Sequence, residues 1–180
     1  MKNGIEIISL CSKDGLRVYG HCRLCIVREN SRGLISSCDT LIEEGMDIIT
    51  KSDELNEIRK NILGLIIANH PRECFKCKSA NGNCELQDVA YKLGVDFFNN
   101  KIKGENRIND EIRNIKGITF DIRKCILCGR CISSCKFNAI NFEGSSYNLK
   151  VDIDENKCVG AFECIECTKI CPSGALILKE

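Results

Sequence analysis

The cysteines constrain this chain more than any other feature of its sequence. Fifteen cysteines and one of the two histidines sort into four sets of four, and no cysteine is left over. The first two sets are Cys11, Cys22, Cys25 and Cys38, and His70, Cys74, Cys77 and Cys84. The other eight form two runs of four: Cys125, Cys128, Cys131 and Cys135, and Cys158, Cys164, Cys167 and Cys171. Four thiolates, or three and an imidazole, are the ligand count of an iron–sulfur cluster, so this inventory predicts four clusters.

Other uses of cysteine fit the pattern less well. Disulfide frameworks belong to oxidising compartments, but Met1–Leu10 lacks the basic segment and apolar run of a signal peptide, and an odd count leaves one thiol unpaired. Zinc ligands come in pairs a dozen or more residues apart, whereas four thiols lie within eleven residues from Cys125 to Cys135. An ordinary core does not need fifteen small thiols in 180 residues.

Charge and hydropathy exclude two classes of partner. The chain has 26 Lys and Arg against 25 Asp and Glu and contains no basic block, so nucleic acid and anionic membranes are not expected partners. The longest apolar stretch, Ile62–Ala68, is interrupted by Gly64 and is too short to cross a bilayer. We therefore expect no membrane span and a cytoplasmic location, where thiols stay reduced and available for iron.

The first unit comprises residues 1–50. Apolar, partly alternating segments predict strands within residues 23–28, 33–38 and 46–50. His21 lies beside a set that already has four thiols, so we do not count it as a ligand.

The residues around this first set resemble a known domain. Cys11, the segments Gly20–Cys25, Ser36–Cys38 and Glu44–Met46 resemble the N-terminal 2Fe–2S domain of three families: the complex I large iron–sulfur subunit, the FeFe hydrogenases and the NAD-linked formate dehydrogenase α subunits. The resemblance implies a β-grasp fold and a 2Fe–2S cluster on the first set. In that family a hairpin and most of a helix precede the first ligand, but only ten residues precede Cys11. We expect the first hairpin to lie upstream of Met1 or to come from another chain.

The second unit, residues 51–98, is predicted to be helical. Ser52 or Asp53 can cap a helix that ends at His70-Pro71, and a second helix begins at Cys84 and ends at Gly94. The predicted buried faces are Leu55, Ile58, Ile62, Leu65 and Ile66 in the first helix, and Leu86, Val89, Ala90 and Leu93 in the second. The second set of ligands, with Asn69, Pro71 and the segment Glu85–Asp88, resembles the same families' His-ligated 4Fe–4S segment. The resemblance implies that His70 and the three cysteines hold one cube.

The third unit, residues 117–180, follows a linker or solvated helix at residues 99–116 and contains an internal repeat. Asp121 precedes Cys125 as Asp154 precedes Cys158, and strands are predicted at 118–120, 140–142, 151–153 and 176–178. This unit resembles the bacterial two-cluster ferredoxin, in which the fourth cysteine of each run crosses to the other cluster. The resemblance implies 4Fe–4S cubes on Cys125, Cys128, Cys131 and Cys171, and on Cys158, Cys164, Cys167 and Cys135.

The predicted fold is α+β: a shortened β-grasp domain, a small helical domain and a two-cluster ferredoxin-like domain. One 2Fe–2S and three 4Fe–4S clusters predict transfer of single electrons, and no catalytic residue is expected. The resemblance implies two partners, a flavin/NADH-oxidising subunit or a ferredoxin, and a catalytic subunit of the hydrogenase, formate dehydrogenase or NADH dehydrogenase type. Two alternatives stay open: a truncated or split fragment of an FeFe hydrogenase or formate dehydrogenase α chain, and a non-catalytic redox sensor.

Overall fold

Buried side chains form two hydrophobic cores, one built around Leu24, Leu63 and Leu86 and the other around Phe120, Val151 and Leu176. The computed structural model describes residues 4–80, 82–102, 104, 111–145 and 148–179. The N-terminal core contains residues of both the first and the second predicted unit, so these two units pack as one body. The C-terminal core belongs to the third unit.

The N-terminal half contains a small antiparallel sheet. Its strands are β1 (Ile26–Glu29), β2 (Gly33–Ser36) and β3 (Ile48–Ile49), in the order β2-β1-β3. All three overlap the segments that the apolar pattern predicted. β1 directly follows Cys25, and β2 ends two residues before Cys38. The β1–β2 hairpin therefore connects these two cysteines in the chain.

Helix α1 (Asp53–Ala68) packs on this sheet with a face that only partly matches the one predicted. Ser52 Oγ accepts from Leu55 N at 3.1 Å, as expected of an N-cap. The buried residues are Leu55, Arg59, Leu63, Gly64 and Ile67, whereas Leu65 is exposed and Ile58, Ile62 and Ile66 are only partly buried. The prediction was right for Leu55 and wrong for Leu65, while Ile62 and Ile66 pack against the edge of the core. The buried stripe is displaced because Arg59 occupies one of its i, i+4 positions.

Helix α2 (Glu85–Leu93) follows a short 3₁₀ turn at Cys74–Lys76. Its buried residues are those predicted: Leu86, Val89, Ala90 and Leu93. Gly94 ends the helix at φ +66°, a left-handed conformation that glycine adopts without strain.

The described part of the C-terminal half contains two small sheets and two short helices. Strands β4 (Ile112–Ile115), β5 (Ile118–Asp121) and β8 (Leu176–Leu178) form one sheet, and β6 (Ile140–Glu143) pairs with β7 (Lys150–Ile153). The short helices α3 (Arg130–Ser134) and α4 (Glu166–Ile170) each carry one of the middle cysteines of the two runs. The backbone N–H groups of Asp121 and Asp154 donate to the carbonyls of Ala175 and Ala139 respectively, each at 2.8 Å, so each half closes on the other.

The segment predicted as a linker or solvated helix, residues 99–116, ends instead in strand β4, which pairs with β5 in antiparallel register. The sequence Ile-Arg-Asn-Ile is too short to show an alternating pattern, and pairing with β5 is what makes it a strand. Residues 103 and 105–110 of that segment lie outside the described residues.

The loop between Cys11 and Cys22 docks on the C-terminal unit rather than only on its sequence neighbours. Arg130 Nη2 donates to the Ser12 carbonyl at 3.0 Å, and Ser133 Oγ donates to the Arg17 carbonyl at 2.8 Å. The Tyr19 ring fills the space beside Gly129, where an added Cβ would lie 2.3 Å from Tyr19 Cδ2. Gly129 has φ +77°, a left-handed conformation that glycine adopts without strain, and it has no side chain that would clash with the Tyr19 ring.

Candidate iron–sulfur sites

The four thiols predicted for the first site meet in the N-terminal half. The Cys22 thiol donates to Cys11 Sγ at 3.3 Å, and the Cys25 thiol donates to Cys38 Sγ at 3.2 Å. Leu10 N also donates to Cys22 Sγ at 3.4 Å. Cys38 acts electrostatically on Cys11, which joins the two pairs into one sulfur-rich site.

The protonation of these thiols is mutually dependent. The hydrogen bond from Cys22 lowers the pKa of Cys11 to about 7, and the same bond, together with burial, raises the pKa of Cys22. Burial, followed by the hydrogen bond with Cys25, raises the pKa of Cys38 to about 12. Thiolates bind iron, and a bound cation supplies the positive charge that buried thiolates otherwise lack. The donor set and its burial therefore fit an iron-containing group.

The second predicted site gathers around the turn at residues 172–174. Cys84 Sγ lies 3.9 Å from the Pro172 carbonyl, and a Cβ added at Gly174 would lie 3.5 Å from Cys77 Sγ. Cys84 directly precedes α2. Burial raises the pKa of Cys84, and the charges of Cys77 and Cys74 raise it further, so the three thiols are close enough to interact.

His70 reaches the same turn from the end of α1. Its Nδ1 lies 3.0 Å from the Pro71 carbonyl, and its Nε2 lies 3.4 Å from the Ser173 carbonyl. A carbonyl only accepts, so a neutral ring, which carries one N–H, can donate to one of these two carbonyls and not to both. Burial lowers the pKa of His70, which favours the neutral ring that metals require. A neutral imidazole has the chemistry of a metal ligand, and the binding of iron by His70 stays a prediction.

The thiols of the third predicted site line a single enclosed cavity. Its walls include Cys125, Cys128, Cys131 and Cys171, together with apolar residues such as Phe120 and Val151. The pKa of Cys128 is raised to about 12. Burial is the largest cause, and the charges of Cys171 and Cys125 act in the same direction. Four thiols with apolar neighbours are the donor set that a cube of iron and sulfide requires.

The remaining four thiols form the fourth site. The pKa of Cys167 is raised to about 12. Burial is the largest cause, and the charges of Cys158, Cys164 and Cys135 act in the same direction. The thiols of the two runs are thus grouped with the fourth cysteine of each run beside the other run. This is the grouping that the crossed ligand sets require, and the binding of iron by each residue stays a prediction. Among the residues that the structure describes, no three His, Cys, Asp or Glu side chains are placed to hold a single metal ion.

Two buried arginines beside these sites were not found from the sequence. Arg130 lies between Gly129 and Cys131, and its Nη1 donates to both carboxylate oxygens of Glu85 at 2.9 Å. Arg59 lies on α1, and its Nη2 donates to the carbonyls of Ile26 at 2.6 Å and Thr50 at 3.0 Å. The position of Arg130 inside a cysteine run was a signal that could have been used; the i, i+4 spacing of Arg59 with Leu55 and Leu63 was a weaker one.

His21, which was not counted as a ligand, contacts the C-terminal unit. Its Nδ1 lies 2.9 Å from the carbonyl of Leu127, and its ring packs against Phe142 with 5.0 Å between centroids. The residue that precedes Cys22 thus contacts the residue that precedes Cys128.

Comparison with protein families covers most of the chain. Residues 1–53 match the 2Fe–2S iron–sulfur cluster binding domain, and residues 59–97 match the iron–sulfur binding region of NADH-ubiquinone oxidoreductase-G. Residues 124–175 match the 4Fe–4S dicluster domain. The chain is therefore an iron–sulfur electron-transfer module with 2Fe–2S and 4Fe–4S domains of the ferredoxin type.

Individual relatives define the type of module more closely. The alpha subunit of the NADPH-Fe(3+) oxidoreductase of Geobacter sulfurreducens is 32% identical over 98% of this chain, and iron hydrogenase 1 of Clostridium pasteurianum is 32% identical over 87%. One chain of an NAD⁺-reducing [NiFe]-hydrogenase crystal structure superposes with a TM-score of 0.83 at 26% identity, over 99% of this chain and 77% of that one. The chain carries the iron–sulfur region of this group of oxidoreductases. It spans only 21% and 28% of the Geobacter and Clostridium proteins.

None of the helices in the described part of the chain is long and apolar enough to cross a membrane. The cytoplasmic location stays a prediction.

Proposed function

We propose that this chain holds one 2Fe–2S and three 4Fe–4S clusters on the four predicted ligand sets and passes single electrons between two partners. One partner is a flavin/NADH-oxidising subunit or a ferredoxin, and the other is a catalytic subunit of the hydrogenase, formate dehydrogenase or NADH dehydrogenase type. The chain is not catalytic alone. The first unit is a ferredoxin domain of the β-grasp type. One observation carries the proposal: the ligand loops of the first, second and fourth sulfur-rich sites each contact those of the third.

The contact between the first and third sites is the most direct. Cys128, which lines the third site, packs in the N-terminal core with Cys11 and Cys22 rather than in the C-terminal core. The His21 ring and the Leu127 carbonyl link the two ligand loops at 2.9 Å. These contacts hold the two sites next to each other.

The turn at residues 171–174 separates the second site from the third. Cys171 belongs to the third site, and its Sγ lies 3.8 Å from Ser173 Oγ, which donates to the Lys124 carbonyl at 2.7 Å. The Ser173 carbonyl faces His70 Nε2 of the second site. One short turn therefore contacts ligands of both sites, and the crossing of Cys135 and Cys171 joins the third site to the fourth.

The protein's part in this function is to hold the ligands and to set their surroundings. Bound clusters supply one-electron oxidation and reduction, and their potentials depend on burial, on nearby charge and on hydrogen bonds to sulfur. Leu10 N donates such a bond at Cys22, and Ala139 N donates one to Cys135 Sγ at 3.4 Å. The thiols are buried or partly buried, which limits contact of reduced iron with oxygen and water.

Anaerobic purification with iron and sulfide analysis tests the cluster assignment. We expect about 14 iron and 14 sulfide per chain, the sum for one 2Fe–2S and three 4Fe–4S clusters. Cys38→Ser should remove about 2 of the iron atoms, and Cys164→Ser about 4. EPR of the reduced protein should lose a different signal in each variant. A colourless protein, or one that holds zinc, would contradict the proposal.

A second candidate is favoured by the coverage of the relatives. Because the chain spans 21% of the Geobacter protein, the same module can be the electron-transfer part of a larger polypeptide. Anaerobic co-purification with the products of neighbouring genes, followed by reduction with NADH, formate or hydrogen, separates the candidates. Reduction through a separately encoded partner supports the electron-transfer subunit, whereas a neighbouring reading frame that begins with the catalytic domain supports the split chain.

A further inference from the structure

Two buried side-chain nitrogens have no hydrogen-bond partner among the described residues, and both are arginine Nε atoms. They belong to Arg59, which is 5% exposed, and Arg130, which is 2% exposed. Buried guanidinium groups are costly unless an anion and hydrogen-bond acceptors surround them. Each of these two residues therefore needs an explanation for its burial.

Arg130 has its anion in the protein. The Glu85 carboxylate accepts two hydrogen bonds from Arg130 Nη1, both at 2.9 Å. Arg59 differs, because both of its hydrogen bonds go to backbone carbonyls, those of Ile26 and Thr50. Among the described residues no carboxylate lies within ion-pair distance of Arg59, and the nearby Glu57 pairs with Lys60 at 2.7 Å.

The surroundings of Arg59 indicate where its anion belongs. The Ile26 carbonyl that it binds is one residue from Cys25, a predicted ligand of the first site. Burial lowers the pKa of Arg59, and the negative charge of Cys25 opposes that effect, so guanidinium and thiolate interact. A 2Fe–2S cluster with four thiolates has a net charge of about −2, and about −3 after it gains one electron.

We propose that Arg59 is the counter-ion of the cluster at Cys11, Cys22, Cys25 and Cys38, and that its fixed charge raises the reduction potential of that cluster. The inference rests on the proposed function, because it requires a 2Fe–2S cluster at the first site. In the redox step one electron from a low-potential donor converts one ferric ion to ferrous, and no other bond or proton changes. The added negative charge interacts favourably with the buried cation, so the reduced state is stabilised more than the oxidised state.

Three substitutions separate charge from shape. Arg59→Met removes the charge and keeps most of the stem, Arg59→Gln also keeps a hydrogen-bond donor, and Arg59→Lys keeps the charge. Lys60→Met is the matched control, because Lys60 is the next residue on α1 and its ion pair with Glu57 is exposed. The readout is an EPR-monitored redox titration with dithionite, which reports each cluster in the absence of any partner.

We expect the ratio of reduced to oxidised first cluster at a fixed potential to fall by about tenfold in Arg59→Met and Arg59→Gln, which is a shift of about 59 mV for one electron. Arg59→Lys should restore most of that ratio, and Lys60→Met should leave it unchanged. The signals of the other clusters should shift less than that of the first in every variant.

Each other outcome decides the question as well. An unchanged ratio in a neutral variant that still holds the first cluster overturns the proposal. If both neutral variants lose the cluster and Arg59→Lys keeps it with an unchanged ratio, the positive charge is required and the counter-ion role is supported. If all three lose it, Arg59 acts through its shape and the proposal fails. A wild-type protein without a 2Fe–2S signal contradicts the proposed function itself, and that result is read before any variant is made.

Discussion

The two cysteine runs of the C-terminal unit share a pattern but lie in different surroundings. The first run, Cys125–Cys135, is covered by Tyr19 and His21 of the N-terminal half, and Arg130 within it is almost fully buried. In the second run, Cys158–Cys171, five residues separate the first two cysteines, and Phe162 among them is fully exposed. Similar ligand loops therefore make one interior site and one peripheral site, because different parts of the chain pack on them.

The aspartates that precede the two runs show the same contrast. Asp121 and Asp154 make equivalent backbone bonds to Ala175 and Ala139. The Asp121 side chain is buried and accepts from Arg123 Nε and Nη2, each at 2.8 Å. The Asp154 side chain is a third exposed and lies 3.5 Å from Lys157. Both halves of the repeat make the same backbone hydrogen bond, whereas burial decides how strongly each carboxylate contributes to stability.

The largest expected effect distinguishes the interior site from the peripheral one. Cys128→Ser and Cys164→Ser should each remove about 4 iron atoms. Cys128→Ser should also lower the unfolding free energy by an additional 1–3 kcal/mol or so, because it buries a hydroxyl in the N-terminal core. Iron analysis and anaerobic chemical unfolding measure the two quantities. Equal unfolding free energies for the two variants would mean that the two sites are equally coupled to the fold.

The next effect concerns the ion pair that holds the interior run to helix α2. Glu85→Gln leaves the Arg130 guanidinium buried without an anion, and we expect a loss of about 2 kcal/mol, less than for a fully buried pair because the Glu85 side chain is 41% exposed.

Glu166→Gln is the matched control for this prediction. Glu166 is also the first residue of a helix, and it pairs with Lys169 at 3.2 Å on the surface. Its loss should change the unfolding free energy by less than about 0.5 kcal/mol. Similar losses in the two variants, measured by chemical unfolding, would show that the helix terminus, rather than Arg130, stabilises Glu85.

The two aspartates give a pH-dependent test. Burial alone would raise the pKa of Asp121, but the hydrogen bond from Arg123 and the charge of Lys124 outweigh it, so the pKa is lowered. A lowered pKa contributes stability above the unfolded-state value of about 3.9 and loses it as the pH falls through the folded value. Asp121→Asn should therefore cost about 1.5 kcal/mol at pH 7, and the difference from wild type should shrink in acid.

Asp154→Asn is the comparison for that experiment. The backbone hydrogen bond from Asn156 lowers the pKa of Asp154, so the same sign applies. Its exposure to solvent predicts a smaller loss at pH 7 than for Asp121→Asn. Unfolding of both variants between pH 7 and pH 3 measures the difference, and a larger effect for Asp154→Asn would contradict the role assigned to burial.

The smallest expected effect is at the surface of the peripheral run. Phe162→Ser should change the unfolding free energy by no more than about 0.5 kcal/mol, because the ring is fully exposed. Phe120→Ala, in the C-terminal core, should lower the unfolding free energy by about 3–5 kcal/mol and is the variant with which Phe162→Ser is compared. A large loss for Phe162→Ser in thermal unfolding would show that the inserted loop packs on the protein.

The sequence by itself determined the features that depend on short spacing. The Ser52 cap, the stripe of α2 and seven of the eight strands in the described residues were predicted because each depends on residues that are close in the chain. The binding of iron by the four ligand sets stays a prediction. The tertiary structure alone decided the remainder. It buried Arg59 instead of Leu65 on α1, made β4 a strand by pairing it with β5, and placed Tyr19 and His21 on the first run. These features depend on residues far apart in sequence, and a local pattern carries no information about which distant surface will cover it.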